Sequence, residues 1–395
     1  MKILVVHQLP YRKADYRQAL DHRRHDVTYA GHPDRMADLP PDLPCRRVEI
    51  PAHEDLVEGV ISRTRPDEGY EQVLSLSEFG VIAAWSVRRH LGLAGPSLRQ
   101  IERSHDKVSM KEALTGSGLR FPRFARPAHR YGLLPWTGAS VLKPRRGTCS
   151  QDVTVHASAR KALEAYWALE NPADYELEEY VDGDILHADG VVRDGELRHL
   201  VVSRYVNKPI DFAGGVPLGS VQLPLSPRHQ SFADTAVAAL GIESGCVHLE
   251  FFETPRGELV FLEIANRMGG AGVVQAHGRH TGVHLPSHDI AARLGLEEPP
   301  AGPASGRFHG WLVFPGHHLG RNAGRVVTVP PALRRHPCVD TLHILPPHHP
   351  LPDHITYQEW LVPVAVEASH SDPRVLAEFL AECATKITIR TESAA

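Results

Sequence analysis

Two glutamates, Glu250 and Glu263, stand on successive strand-like runs, 246–252 and 258–264, joined by the turn Pro255-Arg256-Gly257. In an antiparallel hairpin they fall nearly opposite each other on one face. Two facing carboxylates in an apolar hairpin repel, and burying both is costly without a cation. Hard Mg2+ ions that also hold phosphate oxygens resolve that conflict. Paired surface glutamates are the plainer alternative. Arg267, just beyond, adds a fixed guanidinium near the same point.

Two lysines come earlier. Lys107 stands early in a helix-compatible stretch after Ser104-His105-Asp106, and Lys143 ends the strand-like Val141-Leu142-Lys143-Pro144. A triphosphate needs cations reaching it from more than one side, and lysine supplies point charges for that. Taken singly, each reads as a surface residue. The small polar loop 145–152 either presents backbone N–H groups to phosphate or makes a tight hairpin. In Glu178-Glu179-Tyr180-Val181-Asp182-Gly183-Asp184 a strand end can offer one carbonyl and one N–H to an adenine edge. A nearby carboxylate could then accept from ribose hydroxyls. An edge strand with a turn at Asp182-Gly183 is the alternative.

These residues need elements to hold them. Residues 2–8, 26–30, 45–50 and 72–76 read as strands, alternating with helices over 15–24, 54–63 and 81–91. That βαβ rhythm predicts a doubly wound parallel sheet. No G-x-G-x-x-G follows the first strand, so the first hundred residues read as a substrate-side domain. Ser97 and Ser104 are suited to cap two consecutive helices. Residues 140–202 are strand-rich around a helix at 159–169, and a helix at 229–240 precedes the glutamate hairpin. The Pro-, Gly- and Ala-rich stretch 297–305 marks a boundary, and a last helix is expected near 373–383.

At 395 residues the chain has room for two or three domains, and 42% hydrophobic with 23% charged residues is ordinary globular composition. A net charge of −4 argues against a nucleic-acid-coating surface. Five cysteines, an odd number without a C-x-x-C pair, fit a reducing cytoplasm better than a disulfide framework or zinc knuckle. The apolar run 3–6 is too short for a signal-peptide core, and no stretch nears the roughly 18 apolar residues of a membrane span. Among 26 histidines, His317-His318 and His348-His349 sit in Pro- and Gly-rich sequence and read as solvated loop residues.

Lys107, the Leu-Lys-Pro strand, Glu178-Glu179-Tyr180-Val181 and the Glu250/Glu263/Arg267 set follow in the order of the ATP-grasp superfamily, over roughly 95–295. Within it the chain resembles carboxylate–amine ligases such as bacilysin-type L-amino-acid ligases and carnosine synthases. The resemblance implies an α/β (α+β) architecture: a Rossmann-like parallel-sheet domain over 1–100, a two-part ATP-grasp domain over 101–300 and a C-terminal subdomain over 301–395. It implies ATP with Mg2+, for which Mn2+ can substitute, and small-molecule carboxylate and amine substrates, in a monomer or homodimer. Lys107 and Lys143 would hold phosphates. Adenine would meet the segment Glu178, Glu179, Tyr180 and Val181, chiefly through the main chain of Glu179 and Val181, with Asp184 on the ribose. Glu250 and Glu263 would ligate metal, and Arg267 would stabilise the tetrahedral intermediate. Gly269 and Gly270 would let backbone approach substrate, and Arg204 and Lys208 are further phosphate or substrate contacts. The pattern departs from the family at Ser150-Gln151-Asp152-Val153, where Ser-x-Gly-Val is common, and at Glu263-Ile264-Ala265-Asn266, where many relatives read Glu-Ile-Asn. No acidic–His loop is evident over 207–223. A lid over 204–219 would keep water from an acyl phosphate.

Overall fold

The computed structural model describes residues 1–127 and 132–391. Strands β1 (Lys2–Val6), β2 (Asp26–Gly31), β3 (Arg46–Glu49) and β4 (Gln72–Leu74) pair in parallel in the order β3-β2-β1-β4. The inner strands β1 and β2 are buried almost throughout, as a parallel sheet covered on both faces requires. Helix Leu56–Ser62 lies in the crossover from β3 to β4, and helix Gly80–His90 follows β4 and packs on the same sheet. The order reverses between β1 and β4, so the crevice beyond their carboxyl ends is where a ligand would bind.

The helix expected over 15–24 does not form. A single turn, Tyr11–Ala14, ends at Asp15 in the left-handed region (φ 38°), and a 3-10 turn, Tyr16–Gln18, follows. Tyr16 and Leu20 do face one way, which gave the helical spacing, but both are claimed by the core beside β2. Ser97 caps the helix Leu98–Glu102 as expected. Ser104 does not cap the next one. Its hydroxyl turns back to Ile101 O, and Asp106 accepts from the N–H groups of Val108 and Ser109 instead. That cap fixes Lys107 as the first residue of the helix Lys107–Leu114.

A small antiparallel sheet holds β5 (Phe124–Ala125), β6 (Ser140–Pro144), β7 (Thr154–His156) and β8 (Tyr175–Glu179) in the order β5-β8-β6-β7. The helix Ala159–Ala168 covers it. Further strands are β9 (Asp184–Arg193), β10 (Glu196–Tyr205), β11 (Leu218–Leu223), β12 (Ser244–Glu253), β13 (Leu259–Ala265), β14 (Phe308–Val313), β15 (Arg325–Thr328), β16 (Val339–Ile344), β17 (Val364–His370) and β18 (Thr388–Thr391). Eight of them form one sheet, β13-β12-β9-β10-β11-β14-β17-β16, while β15 pairs with β18. The stretch 297–305 therefore divides the chain but not this sheet, because β14, β16 and β17 extend the surface begun by β9–β13. The helix Pro227–Leu240 covers the β9–β13 part, and Pro373–Lys386 covers the later strands. Among the described residues no helix is long and apolar enough to cross a membrane.

Candidate active site

The hairpin β12–β13 turns through Thr254 and Gly257, whose φ of 76° suits glycine. Its register sets Glu250 directly opposite Glu263, with a bulge immediately after Glu250. Both carboxylates face the cleft between this hairpin and the small sheet, a space of about 930 Å3 also lined by Lys107, Lys143, Glu178 and Val181. Lys107 Nζ lies 3.2 Å from Glu263 Oε2 and donates to Gly147 O at 3.1 Å, tying the helix start to the loop after β6.

Glu250 is held from behind. Tyr205 donates its hydroxyl to Glu250 Oε1 at 2.6 Å, and His248 Nε2 lies 3.5 Å from the same oxygen. Behind them runs a buried chain: His248 Nδ1 to Asp189 at 2.7 Å, Asp189 to His187 Nδ1 at 2.5 Å, and His187 Nε2 to Ser220 Oγ at 2.6 Å. Burial alone would push the Glu250 carboxyl up, but His248 and Tyr205 outweigh it and hold it at about 2. Burial likewise disfavours imidazolium at His248, and the Asp189 and Glu250 carboxylates reverse that, raising it to about 10. His187, Asp189 and His248 carry ligand-type atoms within 4.8 Å of one another, already joined by hydrogen bonds. His199, His288 and Glu298 form a second such group, where Arg198 and His199 already partner the carboxylate.

Glu250 and Glu263 supply donors of the type a divalent cation takes. Glu250 uses only Oε1 and Glu263 only Oε2, so each keeps an oxygen without a partner among the described residues. Two ionised carboxylates with spare oxygens beside lysines make a hard-cation donor set. At the far side of the same cleft, the Val181 N–H makes no hydrogen bond among the described residues, so a purine edge has a donor to meet.

Two residues that sequence inspection missed organise this end. Lys111, one helical turn after Lys107, is fully buried and bridges Glu176, at 2.6 Å, and Glu178. Lys143 closes the group at 2.9 Å from Glu178 and 4.0 Å from Glu176. Burial depresses the Lys143 ammonium less than Glu178 and Glu176 raise it. Burial pushes Glu176 up to about 7, while Lys111 and Lys143 overcome the same effect at Glu178 and hold it at about 2. The signals were present, since Lys107 and Lys111 share a helix face and Glu176 and Glu178 share a strand face. Glu179 points the other way, to Arg123 at 2.6 Å.

Not every expected residue reaches the cleft. Asp184 and Arg204 pair with each other at 3.5 Å, and Arg204 also meets Glu253 at 3.2 Å; neither lines this cleft. Lys208 does line it and donates to Tyr180 OH at 3.0 Å, drawing the segment between β10 and β11 across the Val181 end of the cleft.

Past the glutamates the cleft widens into a second space of about 1510 Å3, lined by Arg267, Gly269 and Gly270, by Glu78 after β4 and by Lys13 after β1. Arg267 Nε donates to Glu78 Oε2 at 2.5 Å. A Cβ on Gly269 would lie 2.7 Å from Asp189 Oδ1 and 3.0 Å from His248 Nδ1, so its backbone presses on the buried chain, while a Cβ on Gly270 would meet only the Tyr357 ring, at 3.9 Å. No local signal marks Glu78 or Lys13.

No protein-family model matches the chain. An L-arginine-specific L-amino acid ligase of Bacillus subtilis is 22% identical over 222 residues, 52% of this chain and 53% of that protein. The match thus spans about half the length of the curated relative. Among solved structures, an L-amino acid ligase from Bacillus licheniformis superposes with a TM-score of 0.73 at 19% identity, covering 99% of this chain and 98% of that one. N5-carboxyaminoimidazole ribonucleotide synthetase from Thermotoga maritima gives 0.63 at 17% identity, with 99% of both chains covered. Phosphoribosylglycinamide synthetase from Anaerococcus prevotii gives 0.65 at 12% identity, again over 99% of both. The resemblance carried by a few motifs thus extends over the whole architecture, and this chain has the ATP-grasp fold.

Proposed function

We propose that the chain is an ATP-dependent carboxylate–amine ligase that forms an amide or peptide bond between small molecules of amino-acid type. The observation that carries this reading is the Glu250/Glu263 pair, shared by a cleft lined by Lys107 and Lys143 and a wider cleft with Arg267. Lys107 and Lys143 hold the ATP phosphates, and the main chain at Glu179 and Val181 holds adenine. Glu250 and Glu263 hold Mg2+, which when bound neutralises charge on the phosphoryl oxygens.

A carboxylate resists nucleophiles because of its own charge. Phosphorylation by ATP converts it to an acyl phosphate and releases ADP. The amine then adds to the acyl carbon, phosphate leaves with the bonding pair, and the ammonium proton is lost. Negative charge grows on the acyl oxygen during addition, and Arg267 is the donor for it. The segment carrying Lys208 screens the nucleotide end from water.

The test is ADP release across a matrix of amino-acid pairs. The ligase reading expects release that requires both an acid and an amine and yields ADP with phosphate. AMP and pyrophosphate as stoichiometric products would refute it. Release supported by bicarbonate or coenzyme A in place of the amine would instead assign another ATP-grasp chemistry.

A further inference from the structure

Lys13 stands on the short turn after β1, and Glu78 follows β4, so both come from the point where strand order reverses in the N-terminal sheet. Both line the wide cleft opposite the glutamate hairpin. The cations there are not equivalent. Arg267 has Glu78 at 2.5 Å, and Arg35 has Asp34 at 3.5 Å and Asp38 at 3.9 Å. Lys13 has no hydrogen bond or ion pair through its ammonium among the described residues. Its contact is the Trp360 ring, with Nζ 5.2 Å from the centroid, on a ring that the Arg12 guanidinium also covers. An aromatic face gives a cation some stabilisation but no counter-charge. Burial lowers the Lys13 ammonium below its ordinary value despite Glu359, and Arg12 and Arg267 lower it further. Glu359, the carboxylate that acts on Lys13, also acts on Arg12 and makes no ion pair with the Lys13 ammonium. A half-buried cation facing a ligand space without an ion pair of its own is costly unless the ligand supplies the anion.

We infer that Lys13 binds a second, non-reacting carboxylate carried by one of the two substrates. The inference rests on the ligase reading for one point: the carboxylate to be phosphorylated must lie beside Glu250 and Glu263, so the anion at Lys13 is another group. An α-amino acid used as the amine brings such a carboxylate, and so does a dicarboxylic acid used as the acid. Lys13 is then a specificity residue, which selects anionic over neutral substrates without taking part in phosphoryl transfer.

The experiment compares the full chain with Lys13→Met and Lys13→Arg, in ATP and Mg2+. L-Leucine is set against L-leucinamide as the amine, and glutarate against butyrate as the acid. Replacing one charge-assisted contact predicts a KM rise of about 10- to 100-fold for the charged probe alone. ATP KM and the KM of the neutral probe stay unchanged, and Lys13→Arg retains most of the preference. Selectivity lost in the amine series assigns the carboxylate to the amine; selectivity lost in the acid series assigns it to the acid. Equal effects on charged and neutral probes, or no effect, overturn the inference. If no pair releases ADP, the ligase reading fails on its own terms. Calorimetric titration of the same four probes then decides for Lys13: tighter binding of a charged probe by the unaltered protein than by Lys13→Met upholds it, and indistinguishable binding overturns it.

Discussion

At the Lys107 end of the cleft, Lys111 and Lys143 are buried against Glu176 and Glu178, so each cation has a carboxyl partner before any ligand arrives. At the substrate end, Arg267 finds its carboxylate on Glu78, 189 residues away in the chain, and Lys13 finds none among the described residues. The first end is built within 107–263; the second gathers residues from 8 to 358. A nucleotide presents one fixed pattern, so a prepaired rigid frame serves it. On the ligase reading proposed above, the other end must suit a particular acid and amine, and it draws on segments far apart in the chain, whose loops can vary without disturbing the sheets.

The largest effect should come where the two ends meet. Glu263→Gln is expected to abolish ADP formation while the fold survives, since Glu263 is a partly exposed group whose ion-pair partner is Lys107. Turnover in that variant, or with excess chelator, would sever the link between the two ends. Melting temperature and circular dichroism provide the control.

Lys111→Met tests whether the prepaired frame is structural. It leaves Glu176 and Glu178 to share Lys143 alone, with Glu176 at 4.0 Å from it, and removing one partner of a buried ion group costs about 3–5 kcal/mol. Denaturant unfolding at neutral pH measures it. The pH dependence has a definite sign. Burial pushes Glu178 up, but Lys111 and Lys143 hold it at about 2, below the ordinary 4.5. The folded state therefore binds this proton more weakly than the unfolded chain. Its stabilising contribution is complete above about pH 4.5 and is lost as pH falls through 2. In Lys111→Met this acid-side loss should shrink; an unchanged acid limb would show that Lys111 does not hold Glu178 down.

Arg267→Ala should lower kcat by about 10²–10³-fold, near 3–4 kcal/mol, with ATP affinity little changed. Arg267→Lys should rescue poorly, because a point charge does not reproduce the planar fork. If melting temperature and ATP affinity fall together instead, Arg267 props the domains through Glu78, and the two ends are one mechanical unit.

Lys143→Ala should weaken ATP by about 10- to 100-fold and leave the KM values of acid and amine unchanged. Isothermal titration with ATP checks the first part and steady-state kinetics the second. Unchanged ATP affinity would mean that Lys143 serves only Glu178.

The nucleotide end was legible because its residues sit on short periodic elements. Glu250 and Glu263 could be set opposite each other from the hairpin pattern alone, and the structure has that register. Lys111 and Glu176 escaped notice although each lies one period from a residue already singled out. Ser104 and Asp106 were both able to cap a helix, and the choice fell to Asp106, which is buried and paired with Arg145 at 2.8 Å. Asp184 followed from the motif that contains it, but its side chain pairs with Arg204 on the neighbouring inner strand.

The sequence by itself determined the four parallel strands of the first hundred residues, the helices after β3 and β4, and the glutamate hairpin, though not the helix expected over 15–24. These rest on periods of 2 and 3.6 residues and on caps and turns, all local properties of the chain. Only the tertiary structure decided that β14, β16 and β17 join the central sheet, that Glu78 meets Arg267 and that Lys13 faces the substrate cleft. Such contacts form between residues far apart in the chain or separated by irregular segments, where no spacing rule connects one side chain to the other and packing alone brings them together.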